Sequence, residues 1–205
     1  YKDYFRWVAT GLEEPMTTHA DRFKYNAGYG MSAYDKGSIF LSQLQYIIGK
    51  ENFDNTLKKY FNDWSFRHPK PNDFIRSAEK VSGLELDWYL LDWAQSTMTI
   101  DYSVNSVYEA DGKTKIVLKR IGQMGMPIDL RVVLDSGNYL DYNIPMTKMR
   151  GTKPLNNSIL LESWSWAKPY YEFWIDVDSS RISKIVIDPK NEMADINRGN
   201  NSLDL

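Results

Sequence analysis

The chain has 205 residues, enough for two domains of about 100 residues each. It is 42% apolar, 25% charged and 14% aromatic, which excludes a disordered tail or a fibre. Lys and Arg number 25 against 27 Asp and Glu, and the balance is as even in residues 1–100 as in 101–205, so the basic footprint of nucleic-acid binding is missing. Cysteine is absent, which excludes disulfides, thiolate metal sites and a Cys nucleophile. That absence is compatible with cytoplasm, periplasm or secretion, so the compartment stays open. Nothing is long and apolar enough to be a transmembrane segment; the richest stretch, Ser38 to Gly49, is short and carries Ser and Gln. The chain opens on Tyr1 with no Met and no charged-then-apolar leader, which reads as a piece of a longer protein.

The first hundred residues have helical spacing. Phe40, Leu41, Leu44, Ile47 and Ile48 form one apolar stripe, with Gly49 as its stop. Phe53, Leu57, Tyr60, Phe61 and Trp64 repeat the pattern. Pro71 suits a first helical position, and Asp73 sits in the first turn, where negative charge is favourable. Phe74, Ile75, Ala78 and Val81 face inward and Gly83 closes that helix. Asp87 reads as an N-cap, with Leu86 and Leu91 as a hydrophobic staple ahead of Trp88, Tyr89, Leu90 and Trp93.

After Thr99 the period changes from 3.6 to 2, and Val, Ile and Thr rise from 13 in residues 1–100 to 20 in 101–205. Tyr102–Val107, Lys115–Ile121, Ile128–Leu134, Tyr139–Ile144, Ile159–Trp164, Tyr170–Val177 and Ile182–Ile187 read as strands. Asp111-Gly112 and Asp135-Ser136-Gly137-Asn138 are turns between them. The expected class is α+β: a helical part, residues 1–98, then an antiparallel β-sandwich, residues 99–205, ending in an irregular polar tail from Asn191.

Known catalytic machinery is missing. There is no Walker loop, dinucleotide glycine fingerprint, Gly-x-Ser-x-Gly elbow or His-Glu-x-x-His. The two histidines, His19 and His68, are too far apart in sequence for a helical His-x-x-x-His pair. His19, among Thr and Asp, reads as a hydrogen-bonding loop residue rather than a ligand. Asp176, Asp178 and Ser179 superficially suggest a calcium loop but lack its Gly and terminal Glu. Trp164, Trp166, Tyr170, Tyr171, Phe173 and Trp174 read as sandwich core plus domain interface, with a sugar- or protein-binding platform as the alternative.

One feature is unusual. Tyr29 and Tyr34 stand five apart in Tyr29-Gly30-Met31-Ser32-Ala33-Tyr34-Asp35-Lys36-Gly37, directly before the amphipathic helix. A helix start would hold Tyr34 on a rigid element, and Gly37 would allow close approach of another backbone. A phenol held this way can donate a hydrogen bond to developing negative charge.

Tyr34-Asp35-Lys36-Gly37 and the apolar helix ending at Gly49 resemble the aminopeptidase N family of zinc metallopeptidases, the gluzincin type. Phe53, Tyr60, Pro71, Asp73-Phe74, Gly83 and Trp93 follow in the order seen after that family's catalytic tyrosine. Residues 101–190, with Met126-Pro127-Ile128 and Asp188-Pro189, look like its small sandwich. The resemblance implies the tail of a thermolysin-like catalytic domain followed by that sandwich. It implies that Tyr34 is catalytic, hydrogen-bonding the tetrahedral oxyanion, that Tyr29 binds substrate, and that the substrates are peptides losing N-terminal residues. The family's zinc ligands and amine-binding segment precede the tyrosine and are absent here. By resemblance, zinc belongs to the full-length enzyme, on the missing N-terminal part of the same polypeptide. The chain alone is expected to hold no metal and to be inactive. The competing expectation is a non-catalytic binding or scaffolding module that uses the aromatic surface of the sandwich.

Overall fold

Residues with helical apolar spacing form helices in the computed structural model, which describes residues 1–205. The chain is α+β and divides into two units: Tyr1–Met98 with Lys148–Pro154, and Thr99–Thr147 with Leu155–Leu205. No helix is long and apolar enough to cross a membrane.

The first unit contains α1 (Lys2–Ala9), α2 (Asn26–Gly30), α3 (Gly37–Ile48), α4 (Lys50–Trp64), α5 (Pro71–Ser82) and α6 (Asp87–Ala94). Its core is built from Leu44, Ile47 and Ile48 of α3, Ile75 and Ala78 of α5, and Leu86, Tyr89 and Trp93 at and in α6. The Tyr89 hydroxyl donates to the Phe40 carbonyl at 2.5 Å, and the two rings lie tilted with centroids 4.9 Å apart, so α6 is tied to α3 by both a polar and an apolar contact. Gly49 separates α3 from α4 at φ 83°, ψ 155°, a conformation open only to glycine. Pro71 opens α5, and the Asp73 carboxylate accepts the Lys70 N–H at 2.7 Å, closing the first turn.

Three local details differ from the sequence pattern. The helix carrying Trp93 starts one residue earlier than the staple requires: Leu86 is the cap, Asp87 is already helical, and Leu91 points to solvent. In α4 only Phe53 and Thr56 are buried, and Phe61 is 68% exposed, because α4 packs by a narrow stripe. Residues 148–154 group with the helices although they lie between strands. There the Lys153 ammonium donates to the Tyr46 carbonyl at 3.2 Å and sits 4.0 Å from the Tyr46 ring centroid, while the Glu85 N–H donates to the Met149 carbonyl at 3.0 Å.

The second unit is a sandwich of two sheets. One has the order β1 (Tyr102–Ala110), β2 (Lys113–Arg120), β6 (Tyr170–Ile175). The other has the order β5 (Ile159–Leu160), β4 (Tyr139–Ile144), β3 (Ile128–Leu134), β7 (Ile182–Ile187), β8 (Ser202–Asp204). Asp111 and Gly112, at φ 53° and 72°, make the tight turn between β1 and β2. Ile116 and Leu118 of one sheet and Leu130, Val132, Ile185 and Ile187 of the other are buried, and Tyr142 meets Phe173 across the gap at 5.6 Å. The sandwich is not purely antiparallel. β5 is two residues long and pairs parallel with β4.

The polar tail from Asn191 holds only a 3-10 turn and the short strand β8 as regular elements, and buried carboxylates anchor it. Asp195, fully buried, accepts from the Tyr102 N–H, the Asn197 N–H and Asn201 Nδ2 at 2.8, 2.8 and 2.9 Å. Asn201 Nδ2 also donates to the Tyr102 carbonyl at 3.2 Å, and β8 then pairs with β7. Periodicity carries no signal for such a segment, since its anchors are buried carboxylates satisfied by backbone. Asp188 works the same way, accepting the N–H groups of Glu192 and Met193 at 2.9 and 2.8 Å.

Burial pushes the Asp188 carboxyl from 3.8 up to about 6, although those N–H groups and the Arg198 guanidinium pull it down. A carboxyl raised in the folded state contributes stability that is complete below its unfolded value of 3.8 and is lost as pH rises through about 6. The unfolding free energy of wild type relative to Asp188→Asn, which carries no charge at any pH, is therefore expected to fall across that window. Denaturant titrations of both proteins at several pH values test it; a difference independent of pH contradicts it.

Candidate functional site

The two singled-out tyrosines lie on one long helix. Asn26–Gly30 is α-helical, Met31–Lys36 is a π-helical turn, and Gly37–Ile48 continues as α3 with helical backbone angles throughout the junctions. Tyr34 is therefore inside the helix, not at its start. Gly37 also serves differently than expected: no other segment's backbone comes near it, and the nearest atom to a Cβ placed there is the Ser32 carbonyl oxygen at 3.7 Å.

The π-turn accounts for the spacing. In an α-helix, residues five apart point about 140° away from each other, at 100° per residue. A π-turn closes i to i+5, so it brings such residues toward one side. Tyr29 is half-exposed and its ring meets Phe23 edge-on at 5.7 Å. Tyr34 is 76% exposed, and its hydroxyl makes no hydrogen bond within the chain. Short π-segments cost hydrogen-bond geometry and recur at functional sites, so an exposed phenol on one is a candidate for chemistry rather than packing.

Two residues beyond Tyr34, Lys36 points the opposite way. Its side chain is 2% exposed, and its ammonium lies 2.5 Å from the Glu13 carboxylate, itself 6% exposed. The same ammonium donates to the Ser96 carbonyl at 3.0 Å. Three segments thus meet at one buried charge: the stretch before α2, the π-turn and the exit of α6. The Thr17 N–H, donating to the Ala94 carbonyl at 3.1 Å, closes the first of these onto the last. Burial raises the Glu13 carboxyl, and Lys36 opposes that rise. Burial is also the main cause that pushes the Tyr4 phenol up, with the Glu13 charge second.

Sequence reasoning named Lys36 only as part of a motif and missed Glu13. The signal for Lys36 is present: it stands four residues before Phe40 and eight before Leu44, on the buried stripe of α3. No periodicity points to Glu13, which lies in an irregular stretch 23 positions away.

The remaining donor atoms do not make a zinc-peptidase centre. Glu79, Glu85 and Asp87 are the group of three close enough to share an ion, and they are all carboxylates. Glu79 already accepts the Leu86 N–H at 2.9 Å. The imidazole of His19 caps the turn at Ala20–Arg22, its Nδ1 accepting the Asp21 N–H at 3.3 Å. Neither histidine belongs to a cluster of three ligating side chains, so these residues do not fit a catalytic zinc built on imidazole.

The aromatic run of the sandwich splits by strand parity. Trp164 is buried, and the Tyr171 ring packs against it and against Phe173 in tilted contacts. Tyr170 and Trp174 face outward, where the ammonium groups of Lys119 and Lys115 sit 5.5 and 5.9 Å from the ring centroids. Lys115 also pairs with Glu172 at 2.7 Å. The outer face is thus a self-paired ladder of cations, rings and carboxylates, which disfavours a stacking platform for sugars.

Known proteins resemble both the helical residues and the chain beyond them. Residues 9–93 match the peptidase family M1 domain. The chain is 26% identical over 135 residues to aminopeptidase M1 of Arabidopsis thaliana, and 27% identical over 111 residues to tricorn protease-interacting factor F2 of Thermoplasma acidophilum. These matches cover 66% and 51% of this chain, and each spans 14% of the relative. The structure of Legionella pneumophila aminopeptidase A with aspartic acid aligns over 78% of this chain and 17% of that one, with a TM-score of 0.52 at 19% identity, a likeness of fold.

Removing the buried cation tests this geometry directly. Lys36→Met leaves the Glu13 carboxylate buried and unpaired, a defect that costs on the order of 3–5 kcal/mol. Denaturant unfolding is expected to show a loss of that size; a change within about 0.5 kcal/mol, the scale of surface substitutions, contradicts the pairing.

Proposed function

From the match of residues 9–93 to the peptidase family M1 domain, we propose that the intact protein is a zinc-dependent aminopeptidase in which Tyr34 stabilises the tetrahedral oxyanion. The observation that carries the reading is Tyr34 itself: a solvent-facing phenol, free of internal hydrogen bonds, on a π-turn anchored by a buried ion pair.

Peptide hydrolysis moves negative charge onto the carbonyl oxygen as water adds. A donor already aimed at that oxygen stabilises it without reorganising at the moment of reaction. A phenol is suited to this, since it is neutral at physiological pH and offers one O–H. The rigid helix holds the donor in place, and its unengaged hydroxyl gives up no internal bond to serve the substrate. Tyr29, one turn earlier and half-exposed, contacts the substrate beside it in this reading. Zinc, when bound in the intact protein, supplies the activated water; its ligands lie outside this chain in this reading, so this chain contributes an oxyanion donor and no metal site. The substrates are peptides with a free N-terminus.

Two measurements test the reading. In the intact protein, Tyr34→Phe is expected to lower kcat about 100-fold with KM little changed, the size of effect seen when one oxyanion donor is lost. Turnover equal to wild type removes Tyr34 from the mechanism. Metal analysis of the purified 205-residue chain is expected to find zinc well below one per chain and no peptidase activity; one tightly held zinc would place the metal site inside it and contradict the division of labour.

A further inference from the structure

Building on the oxyanion reading of Tyr34, we propose that the Glu13–Lys36 pair and the Ser96 carbonyl form a positioning clamp that sets the register of the π-turn and so aims Tyr34. Lys36 is the last residue of that turn, and its ammonium engages two different segments, pairing with the Glu13 carboxylate at 2.5 Å and donating to the Ser96 carbonyl at 3.0 Å. Residues two apart on a helix point about 200° apart. Holding Lys36 in the interior therefore holds Tyr34 toward solvent.

The pair is poorly explained as a source of stability. Taking two charges out of water costs nearly what their attraction returns, and apolar replacements of such pairs are often neutral or stabilising. What a buried charge does supply is discrimination. A helix can carry its extra π residue at more than one position, and moving it past a residue rotates that residue by about 100° relative to the helix beyond. An apolar side chain at position 36 would tolerate that rotation among other apolar groups. A buried ammonium cannot, because it would leave both Glu13 and Ser96. The charge thus penalises the registers in which Tyr34 faces elsewhere. The neighbouring Ser38 adds nothing to this restraint, since its hydroxyl only donates to the Asp35 carbonyl within the helix.

A mutant cycle in the intact enzyme tests the clamp. Its members are wild type, Tyr34→Phe, the paired replacement Glu13→Leu with Lys36→Met, and all three substitutions together. The paired replacement is expected to keep the unfolding midpoint close to wild type. It should leave KM within about twofold and lower kcat between about 10- and 100-fold, the cost of a misplaced catalytic group. In the Tyr34→Phe background it should change kcat by less than about twofold, because the clamp acts only through that hydroxyl. Wild-type kcat in the paired variant overturns the proposal, as does an equal loss in both backgrounds. If the paired variant does not fold, Lys36→Arg, which keeps charge and donors, replaces it; retained turnover supports the clamp, and loss as great as that of Tyr34→Phe overturns it. If Tyr34→Phe alone leaves turnover unchanged, the oxyanion reading fails by that arm. Amide exchange across residues 31–37 then decides the clamp: faster exchange in the paired variant supports it, and unchanged exchange overturns it.

Discussion

A buried lysine is the constraint on which the helical unit is organised. The Lys36 ammonium has no water to fall back on, so every segment that approaches it must bring an acceptor. Glu13 brings a carboxylate and Ser96 a carbonyl, and these two contacts fix where the stretch before α2 and the exit of α6 lie. Around that point the apolar packing is generous: Tyr4 meets Trp93, Trp93 meets Tyr89, and Tyr89 meets Phe40. Apolar packing of this kind sets density but tolerates rotation; the single charge does not. The unusual helix geometry, the outward tyrosine and the inward lysine are one arrangement seen from three sides.

The sandwich uses the same device with the opposite sign. Asp195 and Asp188 are buried carboxylates whose partners are mostly backbone N–H groups. They order a tail that has little apolar surface of its own. In both units the apolar pattern builds the elements, and one or two buried charges decide how irregular segments attach to them.

Much of the fold was legible because it rests on periodicity. β3, β4 and β7 have the bounds that alternation gives, and α3 and α5 end at the glycines that mark them. The departures share a cause: position was set by distant partners rather than by local pattern. α1 is short and amphipathic, but its role rests on Tyr4, which packs against Trp93. β5 stops after Leu160, although the apolar pattern continues to Trp164. What the sequence of the tail from Asn191 does not show is its anchor, because burial of Asp195 is invisible until Tyr102 and Asn201 surround it. At the site, Tyr34 and Tyr29 stood out by motif. The π-turn did not, since nothing in residues 31–36 distinguishes it from an α-helix, and Glu13 could be found only in three dimensions.

The central claim is that this helix presents Tyr34 to the oxygen that becomes anionic. The most direct measurement is a structure of the intact protein bound to a peptide analogue whose scissile carbon is replaced by a tetrahedral phosphinate. The Tyr34 hydroxyl is expected within about 3.1 Å of a phosphinate oxygen, the range for an oxyanion donor, with the Lys36–Glu13 contact intact. A Tyr34 hydroxyl left in solvent, away from that oxygen, would contradict the claim.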